Sequence, residues 1–501
     1  MTSLASRLRS ALLVVLVPWL AAGAQARPAE RPVQTAPLRI MSAKAQGGGP
    51  LHLPPGCGAP QRVAVDLAAL ATLETGMRVD LASTGSVPAT GVVERVVRTS
   101  DRQFTIGGRI EGELDGFFNL VVEEDVLVGT IDLPSRGKRY RLQLAGPGDQ
   151  VIGEVEPAGL PPCGGGVPFN GNARERAEAP APPAGRIAEA ANDVPECAGV
   201  VFDVMIAYTS LARAAAGGTN AIRALCKLAV ADSNVAYTLS LVNARVRLVW
   251  CDEIVYGENG TYLEHLNRLT DTADGIMDSV HTIRDQYKAD LVDLWVDDGE
   301  YCGLAWCWSG NQSLAFSVTT WYCESAMAFA HELGHNQGCN HDRENEISGC
   351  NASTYSYGYR VTGNNGVLYR TIMSYAPGQS IARFSNPDVT YQGVPVGVPI
   401  GQPLESHNAQ TINNTASIVD SFRNSAFDVW VDYPFGGSEL GTFANPFNTT
   451  AEGVNAIGVA VNGTEIGTLW IKSGATPQGV TISKPMLIKP CGGPVTIGGS
   501  P

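Results

Sequence analysis

The sequence predicts a multidomain chain with a β-rich N-terminal part, a central α/β domain built on a mixed twisted sheet, and a short, β-helix-like C-terminal segment. Three observations carry this reading. The chain has 501 residues, beyond the roughly 250 at which a single hydrophobic core stops growing. Short β-favouring runs dominate residues 63–156, whereas strand and helix signals alternate from Val200 onward, as they do in layered α/β units. From Phe427 the texture is again glycine-rich and strand-like.

Residues 1–26 read as an export signal. Arg7 and Arg9 precede an apolar run at 11–22, and Ala24-Gln25-Ala26 supplies a small-x-small cleavage pattern. The run is shorter than the roughly 20 residues needed to span a bilayer, and no later stretch is longer and as apolar. The expectation is a secreted protein with no membrane span, passing through the periplasm if the host is Gram-negative. Residues 27–195 are expected to be a propeptide with a linker. Within it, 117–122, 126–131 and 140–144 are strand candidates, and the only helical signal is a weak patch at 67–73. Residues 161–195, rich in Pro, Gly and Ala, read as an exposed linker that proteases can reach.

The central domain is placed at 196–424. It opens with a buried strand at 201–208 and a helix at 219–237, followed by a strand at 246–255. Helices at 262–269 and 276–287 and a strand at 291–296 come next. Residues 425–501 form the C-terminal segment. They hold one or two β coils, too few to bury a core unaided.

Composition narrows the function. Lys and Arg number 35 against 49 Asp and Glu, a net charge of −14, so a nucleic-acid partner, which needs a basic face, is not expected. Eleven cysteines are too few for a disulfide scaffold but many for a reduced cytosolic chain.

The chemistry concentrates in residues 331–342, His-Glu-Leu-Gly-His-Asn-Gln-Gly-Cys-Asn-His-Asp. On a helix, His331 and His335 share a face and can present imidazoles to one ion. Gly338 can end that helix with a left-handed turn, letting His341 return as a third ligand. Three protein ligands leave a coordination position open, as in catalytic rather than structural zinc sites. Glu332, beside the first ligand, is placed to act as general base on the attacking water. One zinc is expected; calcium is compatible with an exported setting but no complete loop motif shows it. The leading stretch 325–330 is Ala-rich and reads as the start of the same buried helix.

With this motif the chain resembles the metzincin metalloproteases. In that clan a Met-turn lies beneath the metal, and Thr371-Ile372-Met373-Ser374-Tyr375 matches it through Met373. Asp342 is similar to the reprolysin/adamalysin branch, where the residue supports the local fold. Tyr375 instead resembles the astacin and serralysin pattern, where such a Tyr binds the oxyanion. Residues 204–210, 287–292, 302–305, 329–343 and 384–387 more closely resemble bacterial secreted peptidyl-Asp metalloendopeptidases. That resemblance implies protein or peptide substrates cleaved on the amino side of acidic residues. A cation is then needed to receive the acidic side chain; Arg370 is the first candidate, with Arg360 and Arg383 flanking the same region.

Cys163, in Pro161-Pro162-Cys163-Gly164-Gly165, is a latency-switch candidate, because a thiolate ligates zinc well and the glycine lets the backbone approach a cleft. A Cys57–Cys163 disulfide is the rival arrangement. The eight cysteines from Cys197 to Cys350 are expected to form four internal disulfides, with Cys339–Cys350 the preferred pair. The competing function is a vestigial, adhesin-like binding protein acting through the C-terminal segment. An intact Glu332 argues against it, since a scaffold needs no general base.

Overall fold

Alternating residues along two central strands explain how the N-terminal part is built. In β7 (Phe117–Glu123) the side chains of Phe118, Leu120 and Val122 enter one apolar cluster together with Leu127 and Ile131 of β8 (Val126–Leu133). The alternate residues Phe117, Val121, Val126 and Val128 pack the opposite way, into the core of the central domain. Both strands are therefore buried on two faces.

The computed structural model describes residues 36–44, 51, 53–81, 89–146, 148–168, 197 and 199–498, so the export signal expected at 1–26 lies outside the described residues. From Pro37 onward the chain forms one compact unit. Its N-terminal sheet has ten strands in the order β1-β4-β5-β6-β7-β8-β9-β10-β3-β2. They are β1 (Leu38–Arg39), β2 (Met41–Ala43), β3 (Gln61–Val65), β4 (Arg78–Asp80), β5 (Thr90–Ser100), β6 (Gln103–Ile110), the two central strands, β9 (Lys138–Leu144) and β10 (Gln150–Glu154). The one α-helix described in this part is Leu67–Ala71, capped by the Asp66 side chain on Ala69 N–H, where the weak helical patch was expected.

The second sheet has six strands: β11 (Gly165–Val167), β12 (Val200–Tyr208), β13 (Ala244–Glu253), β14 (Leu291–Val296), β15 (Gly303–Trp306) and β16 (Phe316–Thr320). Their order is β11-β15-β16-β14-β12-β13. Neighbours run parallel except β15 against β16. The sheet is thus mixed, as expected for the α/β part. The long helix Thr219–Leu239 packs against β7 and β8 on one side and the six-stranded sheet on the other. Helices Tyr262–Thr270 and Ser279–Tyr287 follow the expected order.

The linker expectation needs correction at its start. Residues 162–168 are seated against β15, because Pro162 and the glycines that follow offer backbone groups that β15 can pair with. Cys302 N donates to Pro162 O (2.8 Å), Gly164 N to Gly303 O (2.8 Å) and Cys307 N to Val167 O (3.0 Å). Residues 169–196 lie outside the described residues.

At the C-terminus, β18 (Asp428–Val431), β19 (Thr468–Thr476) and β20 (Leu487–Ile497) stack in parallel. Val429, Leu469 and Ile488 share a register, and Trp430 stacks on Trp470 at 5.5 Å. This segment is bound firmly to the α/β part. The fully buried Arg247 on β13 pairs with Asp203 on β12 and Asp428 on β18, both at 2.7 Å.

The disulfides also differ from expectation. The pairs are Cys197–Cys491, Cys302–Cys323 and Cys307–Cys350. Cys339 does not meet Cys350: its thiol turns toward Asn408 O (3.7 Å), while Cys350 faces Cys307. Cys226 and Cys251 are free and buried. Cys57 and Cys163 are also free, so they do not form the rival disulfide.

Candidate metal centre

The helix Ala328–Asn336 carries the motif, and it starts later than the sequence suggested. Residues Trp321–Ala326 form a 3-10 turn, and Met327 breaks the chain with φ +65° in the left-handed region. Glu324 then folds back to accept Phe329 N–H at 3.0 Å, satisfying an orphan donor at the helix start. At the other end Gly338 takes φ +94°, a conformation that glycine adopts without strain, and the chain reverses into β17 (Asn340–Asp342), which presents His341.

Each imidazole is oriented from behind. His331 Nδ1 donates to Ile372 O (2.8 Å), His335 Nδ1 to Cys339 O (3.0 Å) and His341 Nδ1 to Asn345 O (3.2 Å). With the protons on Nδ1, all three Nε2 lone pairs point inward. His341 Nε2 lies 3.1 Å from His331 Nε2 and 3.0 Å from His335 Nε2. Three lone pairs facing one another at that range repel unless a cation sits among them, so the residues fit a metal ion. Burial, then the neighbouring His331, pushes the His341 pKa down to about 2, and burial pushes that of His335 well below its usual value. Neutral imidazoles are the metal-binding form.

The fourth atom at this point is the thiol of Cys163. Its Sγ lies 3.3 Å from His331 Nε2 and 3.5 Å from Glu332 Oε1, and it accepts Gly165 N–H at 3.3 Å. The four potential ligand atoms lie within 4.8 Å of one another. Three nitrogens and one soft sulfur are a donor set suited to zinc. Close approach needs the glycines of this strand: a Cβ on Gly166 would meet Cys307 Sγ at 2.7 Å, and one on Gly165 would meet Ile347 Cδ1 at 2.8 Å.

Glu332 is buried beside this cluster. Its Oε2 has no hydrogen-bond partner among the described residues, and burial, then Cys163, holds its pKa well above the usual carboxylate value. Met373 is fully buried beneath the helix, and a Cβ on Gly334 would lie 2.6 Å from its sulfur. The turn around Met373 is pinned from two sides. Asp342 Oδ2 accepts Tyr375 N–H (2.9 Å), while Arg370 donates to Ser374 O (2.7 Å) and Gly378 O (3.1 Å). Tyr375 stands against His341, ring centroids 4.2 Å apart, and its hydroxyl donates to Cys163 O (3.2 Å).

The structure brings His331, Glu332, His335, His341, Met373, Tyr375 and Cys163 together. It spends two of the Arg370 N–H groups on its own loop and pairs Arg360 with Asp342 (2.8 Å) and Glu344. Sequence reasoning missed Gly303, whose missing side chain leaves room for Glu332: a Cβ there would meet Oε1 at 2.3 Å. The glycine pair around Cys163 was the available signal for the seated strand, but its composition equally suited a linker.

A mixed sheet, a helix bearing His-Glu-x-x-His, a returning third histidine and a methionine turn define a metallopeptidase. Residues 199–385 match metallo-peptidase family M12, reprolysin-like. A peptidyl-Asp metalloendopeptidase of Stenotrophomonas maltophilia strain R551-3 is 31% identical over 422 residues, covering 81% of this chain and 96% of that protein. Proteins of the same name from S. maltophilia strain K279a and from Xanthomonas campestris pv. campestris are each 32% identical over 308 residues. The matches cover 61% of this chain with 70% of the former and 61% with 69% of the latter. The chain belongs to this family of bacterial M12 metalloendopeptidases, and zinc is its cofactor. Among the described residues no helix is long and apolar enough to cross a membrane.

Proposed function

We propose that the chain is an exported, latent precursor of a zinc endopeptidase that cleaves on the amino side of Asp or Glu. In this reading residues 1–26 direct export, 27–195 are the inhibitory propeptide, 196–424 form the metzincin-type catalytic domain, and 425–501 are a β-helix-like accessory. The single observation that supports latency best is the Cys163 thiol standing among three imidazoles. The acidic preference rests on the relatives' name.

His331, His335 and His341 hold the zinc, which when bound supplies Lewis acidity for water and the scissile carbonyl. Glu332 takes a proton from the attacking water and passes it to the leaving amine. Its low-dielectric setting raises its basicity for that task. Tyr375 donates to the developing oxyanion; in the precursor the same hydroxyl is engaged by Cys163 O. Met373 supports the floor of the site through packing. Substrate lies extended along β15 once the strand that carries Cys163 has left. Cleavage between Cys163 and Cys197 is the activating event, and the disulfides suit the oxidising setting of an exported protein.

The test is Cys163→Ser in the full-length precursor, with a cleavage-blocked linker and a quenched peptide as substrate. Activity should rise about tenfold or more, because a neutral hydroxyl is a far poorer zinc ligand than a thiolate, and a chelator should abolish it. An equally silent variant would sink the thiol mechanism and leave occlusion by the strand.

A further inference from the structure

We propose that Arg383 receives the acidic side chain of the substrate, and that Asp115 of the N-terminal sheet occupies it in the precursor. This deepens the reading of the site as one that cleaves before acidic residues, and rests on it.

Three arginines flank the segment around Met373, and their partners separate them. Arg360 pairs with Asp342 and Glu344, both within the region that retains the metal site. Arg370 donates to the carbonyls of Ser374 and Gly378, so it clamps a turn. Arg383 is 3% exposed and pairs with Asp115, Nη2 to Oδ2 at 2.7 Å. Asp115 lies in the hairpin between β6 and β7, at φ +60° beside Gly116 and the exposed Leu114. Of these carboxylate partners, Asp115 alone departs with the N-terminal sheet.

Position supports the assignment. Arg383 O accepts Ile372 N–H at 2.8 Å, and Ile372 O accepts His331 Nδ1–H at 2.8 Å. The arginine is therefore joined to the first metal-facing histidine through one residue of the methionine turn. Its guanidinium lies 5.0 Å from the Tyr391 ring centroid, and its Nε has no hydrogen-bond partner among the described residues. The other charges near Tyr391 are Asp132 and Arg139, paired with each other at 3.0 Å; both belong to the N-terminal sheet. Removal of that sheet leaves a recessed guanidinium without its carboxylate. An unpaired cation in such a place is costly, and a substrate carboxylate restores the charge-assisted contact. A neutral side chain cannot.

The experiment compares processed wild type with Arg383→Gln, Arg383→Lys and Arg370→Gln. Each is produced from the full-length chain, with zinc content and near-UV circular dichroism checked first. Matched peptides carry Asp, Asn or Leu after the scissile bond, and kcat/KM is read for each. Arg383→Gln should lower the Asp-to-Asn ratio by about tenfold to a hundredfold, mostly through KM for the Asp peptide. Arg383→Lys should restore part of the ratio, and Arg370→Gln should keep it. If Arg383→Gln does not fold, Arg383→Lys and Asp115→Asn precursors carry the test. The Lys variant must then show an intermediate ratio, and the Asn variant, which yields an unaltered mature enzyme, the wild-type ratio. A wild type that prefers Asp beside an Arg383→Gln or Arg383→Lys that matches it overturns the Arg383 assignment alone. Equal wild-type rates on Asp and Leu peptides overturn the acidic-substrate reading and this proposal with it.

Discussion

Two of the contacts that the N-terminal region makes with the rest of the molecule have opposite character. At the cleft the contact is a short glycine-rich strand, held by backbone pairing to β15 and by one thiol. Across the long helix Thr219–Leu239 it is a broad sheet face in which charges are buried. Lys227 and Glu123 pair at 2.6 Å with exposures of 4% and 1%. Asp232 accepts from Asn119 (2.8 Å) and Thr130 (2.6 Å), with Arg141 at 4.0 Å. The first contact reaches the chemistry with little surface; the second has the surface and no chemistry. If the region inhibits as proposed, inhibition and affinity are therefore separable properties of it.

The largest effect expected on the chemistry side is from Glu332→Gln in processed enzyme. Loss of a positioned general base should lower kcat by about 10²–10⁴-fold while zinc, measured by atomic absorption, stays bound. On the affinity side, Lys227→Ala strands Glu123 in the interior. Breaking a buried pair costs about 3–5 kcal/mol, so the urea midpoint of the full-length chain should fall clearly, yet the precursor should stay silent on peptide substrate. A silent but loosened Lys227→Ala beside an active Cys163→Ser keeps the two contacts distinct. An active Lys227→Ala precursor would merge them.

A smaller effect concerns Glu324, which lies near Arg141 and Asp232 and accepts Phe329 N–H at the start of the histidine helix. Burial, opposed by Arg141, raises its pKa to about 8. The folded protein then holds a proton that the unfolded chain releases above its ordinary pKa near 4.5. Its contribution to stability falls as pH rises from about 4.5 to about 8 and is level above that. Glu324→Gln should remove this slope, so the variant's melting temperature should gain on wild type across that window. Parallel curves would mean that the carboxyl is solvated.

What the sequence disclosed follows from what local chemistry determines. The spacing of His331 and His335 and the glycine at 338 define a metal site with no need of distant neighbours. The strands at 201–208 and 291–296 were legible because both are buried throughout and rich in Val, Ile and Leu. Residues 162–167 were not, since proline and glycine look alike in a loose tether and in a strand pressed into a cleft. Cysteine pairing and the role of Arg383 depend on which surfaces meet, and a linear pattern holds no record of that. The start of the histidine helix was misplaced because nothing in Ser325-Ala326-Met327 announces a left-handed residue.

The far edge of the six-stranded sheet carries a last consequence. There Val461 exchanges backbone hydrogen bonds with Cys251 (2.9 Å) and Val249 (3.2 Å), and the Asn462 side chain donates to Cys251 O (2.8 Å). The C-terminal segment thus occupies the outer side of β13, while β11 occupies the outer side of β15. In the proposed mature enzyme, with β11 withdrawn, the outer side of β15 is the free rim of this sheet among the described residues, and the metal-facing histidines lie beside it. On the proposed reading, an extended substrate that joins by adding a strand has one berth there, aligned with the metal-facing histidines. A second berth on β13 would have held chains where nothing could be hydrolysed and would have let mature molecules zip together edge to edge.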